Sequence, residues 1–188
     1  MRIVLASESE FRRQALDMLG LTYEVRPSGI DEKTIRDRNP AELTRKLAEA
    51  KAWRVAEDCP DAIVVSGDAV ACKGNRIYEK PRSKAEAAEF LRELSGSQFQ
   101  FVTALTVVHS GTTKMLSTVE TSDIAFRPLV NREIESYIAT HDVLRFAGAF
   151  ESHAVLRFGE RISGSYNFVT ALPVSRLIVF LREQGVEI

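Results

Sequence analysis

The run Leu5-Ala6-Ser7-Glu8-Ser9-Glu10-Phe11-Arg12-Arg13 places two hydroxyls and two guanidinium groups where an apolar strand passes into a helix. A strand feeding a helix aims unbonded backbone N–H groups and the positive end of the helix dipole at one point. Arginines in the first turn oppose that dipole, and a bound anion reverses the penalty. Phosphate is the natural guest of such a helix start. The same run also reads as an ordinary capped helix with solvated arginines. The glycine-rich GxxxxGK[ST] phosphate loop is missing.

A second cluster is acidic: Asp31-Glu32, and Asp68 after the apolar run Ile63-Val64-Val65-Ser66-Gly67. The spacing puts Asp68 at a strand end, where α/β proteins tend to place their sites. Carboxylates there can hold magnesium, which takes oxygen ligands and keeps waters and substrate phosphates in its shell. The plainer alternative is a turn aspartate. Lys51 falls on the apolar stripe of Leu43, Leu47, Ala50 and Val55, so it either snorkels to the helix edge or points into a pocket. Lys80, in Glu79-Lys80-Pro81-Arg82, faces a phosphate or solvent.

The elements that must position these groups follow from turn and cap residues. A strand over residues 3–6 precedes a helix from Ser9 to Leu19 closed by Gly20. Asn39-Pro40-Ala41-Glu42 opens a second helix that runs to about Asp58. A strand over 62–66 follows, then a hairpin at Gly74-Asn75. Ser83-Lys84-Ala85-Glu86 opens a helix ending near Leu94. Strands over 100–109 and 115–126 flank Ser110-Gly111-Thr112, and a helix spans 131–139. The stretch 148–164 reads as loop and hairpin, and a last helix runs from Pro173 to Gly185. The pattern is α/β in class, with a mixed sheet flanked by helices, a single domain over 1–188, and possible division into lobes.

Composition narrows the function classes. Of 188 residues, 45% are hydrophobic and 27% charged, the profile of a chain that buries a proper core. A net charge of −1 lacks the basic excess of a nucleic-acid binder. No apolar run approaches the ~20 residues that span a bilayer, so no membrane role is expected. The N-terminus enters a strand at once, without a signal peptide's layout, and Cys59 and Cys72 stand far apart; both suit a cytoplasmic protein. His109, His141 and His153 show no zinc-ligand spacing.

Taken in order, these segments resemble the Maf family of nucleotide pyrophosphatases. That family opens with LAS-x-S-P-x-R-R, follows with a DE pair and a KA pair, and continues with a G-x-D, a GKP loop and an LSG turn. It closes with AG-x-[YF] and a GLP before the last helix. Here stand Leu5-Ala6-Ser7-x-Ser9, Arg12-Arg13, Asp31-Glu32, Lys51-Ala52, Gly67-Asp68, Lys80-Pro81, Leu94-Ser95-Gly96, Ala147-Gly148-Ala149-Phe150 and Leu172-Pro173. The match covers essentially the whole chain.

The resemblance implies a Maf/ITPase-like fold: an elongated mixed sheet, a cleft between two lobes, and a homodimer. It implies hydrolysis of the α–β phosphate bond of a nucleoside triphosphate, with Asp68 as general base. Glu32 and Asp68 would hold a divalent metal cation, magnesium or manganese. Ser7, Ser9, Arg12, Arg13, Lys51 and Lys80 would bind and neutralise the triphosphate. An aspartate near its usual pKa of about 4 is ionised at neutral pH and needs no unusual tuning for this work.

Departures from the family pattern bear on the nucleotide. The pyrimidine-preferring branch carries SPRR, GADT and AGAYGIQG; the 7-methyl-GTP branch carries SPWRR, a glutamine after the aspartate, and AGSFKSEG. Phe11 stands where the second branch has tryptophan, and an aromatic face suits stacking on a methylated, cationic purine. Phe150 also follows that branch, whereas Ala69 and His153 match neither, and His153 replaces a glutamate. Glu10 replaces a proline and Glu79 a glycine. The expectation is a modified or non-canonical nucleotide such as 7-methyl-GTP. The alternative is a catalytically weak nucleotide sensor or cell-division regulator on the same fold.

Overall fold

The computed structural model describes residues 1–188. Strand β1 (Arg2–Leu5) leads into helix α1 (Glu10–Met18), then β2 (Glu24–Val25), α2 (Pro40–Glu57), β3 (Ala62–Lys73), β4 (Arg76–Tyr78) and α3 (Lys84–Leu94). Strands β5 (Gln98–His109) and β6 (Lys114–Phe126) follow, then α4 (Asn131–Thr140), α5 (Ser152–Phe158), β7 (Gly159–Gly164) and α6 (Val174–Glu183). All seven strands join one sheet in the order β2-β1-β3-β5-β6-β7, with β4 on β3. The sheet is mixed: β1 runs parallel to β2 and β3, while β4 is antiparallel to β3 and β7 to β6.

Local chemistry sets the boundaries. Asn39 Oδ1 accepts from the Ala41 N–H at 2.9 Å, and Pro40 begins α2, where its missing N–H costs nothing. Gly74, at φ +57°, forms with Asn75 the two-residue turn between Lys73 and Arg76. The stretch 148–164 departs from the loop-and-hairpin expectation. It holds α5 and then β7, an apolar helical face of Ala154, Val155 and Phe158 having been hidden by its short length.

The chain forms two compact units. The first comprises Met1–Ala69, Thr103–Glu120 and Val169–Ile188. Its sheet has two covered faces. On one, Ile3, Leu5, Ile63, Val65, Leu105 and Val107 meet Ala15 and Leu16 of α1 and Leu177 and Leu181 of α6. On the other, Val4, Ala6, Ala62, Val64 and Val108 meet Ala52, Val55 and Ala56 of α2. Covered on both faces, β3 reads as a continuous apolar run rather than an alternating one. Each such side chain contributes about 1.5–3 kcal/mol on burial.

The second unit comprises Val70–Val102 and Thr121–Phe168. Aromatic edges organise it: Phe150 lies 5.4 Å from both Phe99 and Phe126, ring centre to ring centre. No helix in the chain is long and apolar enough to cross a membrane.

Candidate functional site

Strand β1 ends at Leu5, opposite Val65, whereas β3 runs on to Lys73. Ser66, Gly67 and Asp68 therefore lie beyond the end of the neighbouring strand. Asp68 is not at a strand end, as its flanking residues suggest, but inside a longer strand whose neighbour has stopped. Side chains alternate along a strand, so Ser66 and Asp68 share the face of Val64, the one α2 covers.

From α2, Lys51 meets Asp68. Its Nζ lies 2.7 Å from Asp68 Oδ1 and 2.9 Å from Glu32 Oε1. Both Lys51 and Asp68 are buried, at 7% exposure each, while the Glu32 side chain is about half exposed at 55%. Of the two sequence alternatives for Lys51, the structure takes the inward one. The acidic pair divides its labour: Asp31 Oδ1 accepts from the Lys33 N–H at 3.0 Å and shapes its own turn, and Glu32 reaches Lys51.

The helix start is built differently from an ordinary cap. Ser9 is the N-cap of α1, but its hydroxyl makes no capping bond. Instead Ser7 Oγ accepts from the Ser9 N–H at 3.2 Å and from Arg12 Nη1 at 3.1 Å. The first intrahelical bond runs from Arg13 N–H to Ser9 O, so the N–H groups of residues 10–12 precede it. Arg12 is buried and also donates from Nε to Ala171 O at 3.2 Å. Arg13 is exposed, and Phe11 half-buried.

Burial sets the electrostatics. It pushes the Asp68 carboxyl above its ordinary value, against the pull of the Lys51 and Arg12 cations and with a further push from Glu32. The expectation of an untuned aspartate is thereby corrected. Burial also lowers the Arg12 guanidinium, which Asp68 and Glu32 counter; so strong a base stays charged.

Sequence reasoning quoted Gly67 without a role and missed Ala171 and Ser66. A Cβ on Gly67 would stand 2.7 Å from Leu172 Cδ1, 2.8 Å from Ala104 O and 3.2 Å from Arg12 Nε, so Gly67 leaves room for the buried guanidinium. Ala171 adopts φ +49°, where the family pattern has the glycine of its GLP, and that conformation aims its carbonyl at Arg12. The Ser66 hydroxyl is fully buried without a partner. Gly67 left its signal in the family motif and Ala171 in the missing glycine, whereas Ser66 left none.

Ser7, Ser9, Phe11, Arg12, Arg13, Glu32, Lys51, Asp68 and Ala69 fall in the first unit, Lys80 and His153 in the second. Lys80 and His153 are exposed, and Ala69 is half-buried. Phe150 is a core residue, 4% exposed among Phe99, Phe101 and Phe126, which removes it as a ring available to a ligand. Both cysteines are free thiols.

The donor set fits a magnesium-type ion. Asp68 and Glu32 already converge on one cation, the Lys51 ammonium. No cluster of three or more His, Cys, Asp or Glu side chains forms a fuller cage. One or two carboxylates, completed by water and phosphate oxygens, is how magnesium is usually held.

Comparison with known proteins shows the family. A dTTP/UTP pyrophosphatase of Salinibacter ruber is 36% identical over 182 residues, covering 96% of this chain and 89% of the relative. A 7-methyl-GTP pyrophosphatase of Alkalilimnicola ehrlichii is 38% identical over 187 residues, covering 97% and 93%. Another 7-methyl-GTP pyrophosphatase, from Rhizobium meliloti, is 35% identical over 192 residues, covering 97% and 96%. A solved HAM1 protein from Coxiella burnetii aligns over 97% of this chain and 99% of its own with TM-score 0.49 and 14% identity. The sequence profile described as Maf-like protein matches residues 2–184, and the chain belongs to that family.

Proposed function

We propose that this chain hydrolyses a nucleoside triphosphate between the α and β phosphates, giving a nucleoside monophosphate and diphosphate. The observation that carries the reading is the buried Lys51–Asp68 pair with Glu32 on the same ammonium, beside the charge of Arg12. Such a cluster suits phosphoryl transfer, which needs charge cancellation and in-line positioning more than covalent chemistry.

In this reading Asp68 accepts a proton from water as its oxygen bonds to the α-phosphorus. The bond from the α-phosphorus to the α–β bridging oxygen breaks, and diphosphate leaves with that electron pair. Arg12, Arg13, Ser7, Ser9 and the first N–H groups of α1 hold phosphate oxygens. Glu32 and Asp68 would hold a magnesium or manganese ion, which would polarise the water and neutralise developing charge. A protonated Asp68 cannot serve as base, and the Lys51 and Arg12 cations pull against the burial that raises its carboxyl.

For the nucleotide, the reading is a modified or non-canonical purine such as 7-methyl-GTP, supported by the half-buried Phe11 beside Arg12. Lys80 and His153 enter on the family pattern alone, as does the homodimer.

The test is diphosphate release from canonical and modified nucleoside triphosphates with magnesium or manganese. Wild type is run beside Asp68→Asn, Phe11→Ala, Lys80→Ala and His153→Glu. Release that Asp68→Asn lowers by about 10²–10⁴-fold supports the base. Folded protein that binds nucleotides yet releases nothing sinks the hydrolase reading and leaves a sensor.

A further inference from the structure

We infer that the resting protein carries no resident metal: the Lys51 ammonium keeps the ion's place, and the ion enters only together with the nucleotide's phosphates. The inference rests on the reading of Asp68 and Glu32 as metal ligands and extends it to the order of assembly.

The ammonium donates to Asp68 Oδ1 at 2.7 Å and is ion-paired with Glu32 Oε1 at 2.9 Å. A magnesium-type ion held by the same two carboxylates would sit against the ammonium. Two cations in so small a volume repel, and with Lys51 and Asp68 buried that repulsion is screened less than at a surface. One must yield.

Lys51 cannot yield to solvent at little cost. Its side chain is only 8% exposed, and α2 packs Ala52, Val55 and Ala56 into the core directly after it. An ammonium moved off its carboxylates without a new anion would be a buried, unpaired charge, which is heavily penalised. A triphosphate removes that penalty by offering the ammonium oxygens of its own. It also supplies the ligands that two carboxylates alone do not.

Metal and triphosphate are therefore coupled: each raises the affinity of the other, and by linkage the factor is the same in both directions. Free metal alone meets a site already filled by protein charge. Lys51 is a positioning residue in the resting state and a phosphate partner in the loaded one.

The experiment measures binding, not turnover. Free Mn²⁺ is titrated into wild type, Lys51→Met, Lys51→Arg and the double variant Lys51→Met/Asp68→Asn, and bound ion is read by electron paramagnetic resonance. Wild type and Lys51→Arg, which keep a cation between the carboxylates, should bind Mn²⁺ alone weakly. Lys51→Met should bind it about tenfold or more tightly, and the double variant should lose that gain. Mn²⁺ binding by wild type as tight as by Lys51→Met overturns the inference.

Calorimetry with inorganic tripolyphosphate separates the two layers of the argument. Suppose Lys51→Met gains nothing while Mn²⁺ still strengthens tripolyphosphate binding to wild type, an effect lost in Asp68→Asn. The placeholder idea then fails and the ligand assignment survives. If Asp68→Asn alters neither measurement, the ligand assignment falls, and the inference with it. Should circular dichroism show Lys51→Met unfolded, wild type decides: Mn²⁺ retained equally with and without tripolyphosphate overturns the inference, and retention only with it supports it.

Discussion

Lys51 Nζ stands 2.7 Å from Asp68 Oδ1 in a setting where both side chains are nearly out of water. Asp68 is raised by that burial even with two cations beside it, so its protonation should be visible in two measurements at once. In the proposed role of base, it would work only when ionised. The acid limb of kcat/KM should therefore fall above the ordinary carboxylate value of about 4. Stability moves the other way. A carboxyl raised in the folded state binds its proton more tightly there than in the unfolded chain. Its contribution is complete below the unfolded value and is lost as pH rises through the folded one. Denaturant titration of wild type against Asp68→Asn should show wild type losing ground to the variant across that window. Coincident loss of activity and stability on acidification would refute this.

Ala171 holds a left-handed backbone at φ +49° to aim its carbonyl at Arg12 Nε. That conformation costs an alanine about 1–2 kcal/mol, and part of it returns if a glycine with a freer unfolded state takes its place. Ala171→Gly should raise stability by about 0.5–1 kcal/mol, seen as a Tm increase of about 1–4 °C, with phosphate affinity kept. A lower Tm would mean that the alanine methyl packs better than the strain implies.

The Ser66 hydroxyl is buried without a hydrogen-bond partner, on the strand face it shares with Asp68. An unsatisfied buried hydroxyl is a net cost, so Ser66→Ala should stabilise the fold by about 1 kcal/mol in denaturant titration. Destabilisation instead would point to an ordered water bound there.

Two phenylalanines that look alike in sequence should behave in opposite ways. Phe150 is locked among Phe99, Phe101 and Phe126, and Phe150→Ala should cost about 3–5 kcal/mol of stability. Its relative rates across a nucleotide panel should not change. Phe11→Ala should shift KM among nucleotides. A changed substrate ranking in a folded Phe150 variant would contradict the core assignment.

Most of the fold was legible. Caps and turns carry their own chemistry, and so Asn39-Pro40, Ser83 and Gly74-Asn75 fell where the structure has them. The first errors came where a local signal competes with a longer one. Ser66-Gly67 resembles a turn, yet β5 pairs alongside β3 and carries the strand through to Lys73. Helix α5 is seven residues long, too short for a period to declare itself. In the site, the residue types of Lys51, Glu32 and Asp68 were readable, but their convergence on one ammonium was not. It depends on a three-residue turn at Glu32–Thr34 and on where β1 stops. The inward position of Phe150 was hidden too, because a ring in a core and a ring facing a ligand are the same letter.

Arg12 joins the loop after the first strand to the backbone just before the last helix, through Ser7 Oγ on one side and Ala171 O on the other. The two anchors are more than one hundred and fifty residues apart in the chain, yet they meet in one guanidinium. A ribosome that has made the first helix has made only half of that clamp. That guanidinium has both its anchors only after residue 171 has left the exit tunnel. Chains broken off earlier in translation therefore lack one of the two anchors of the buried guanidinium.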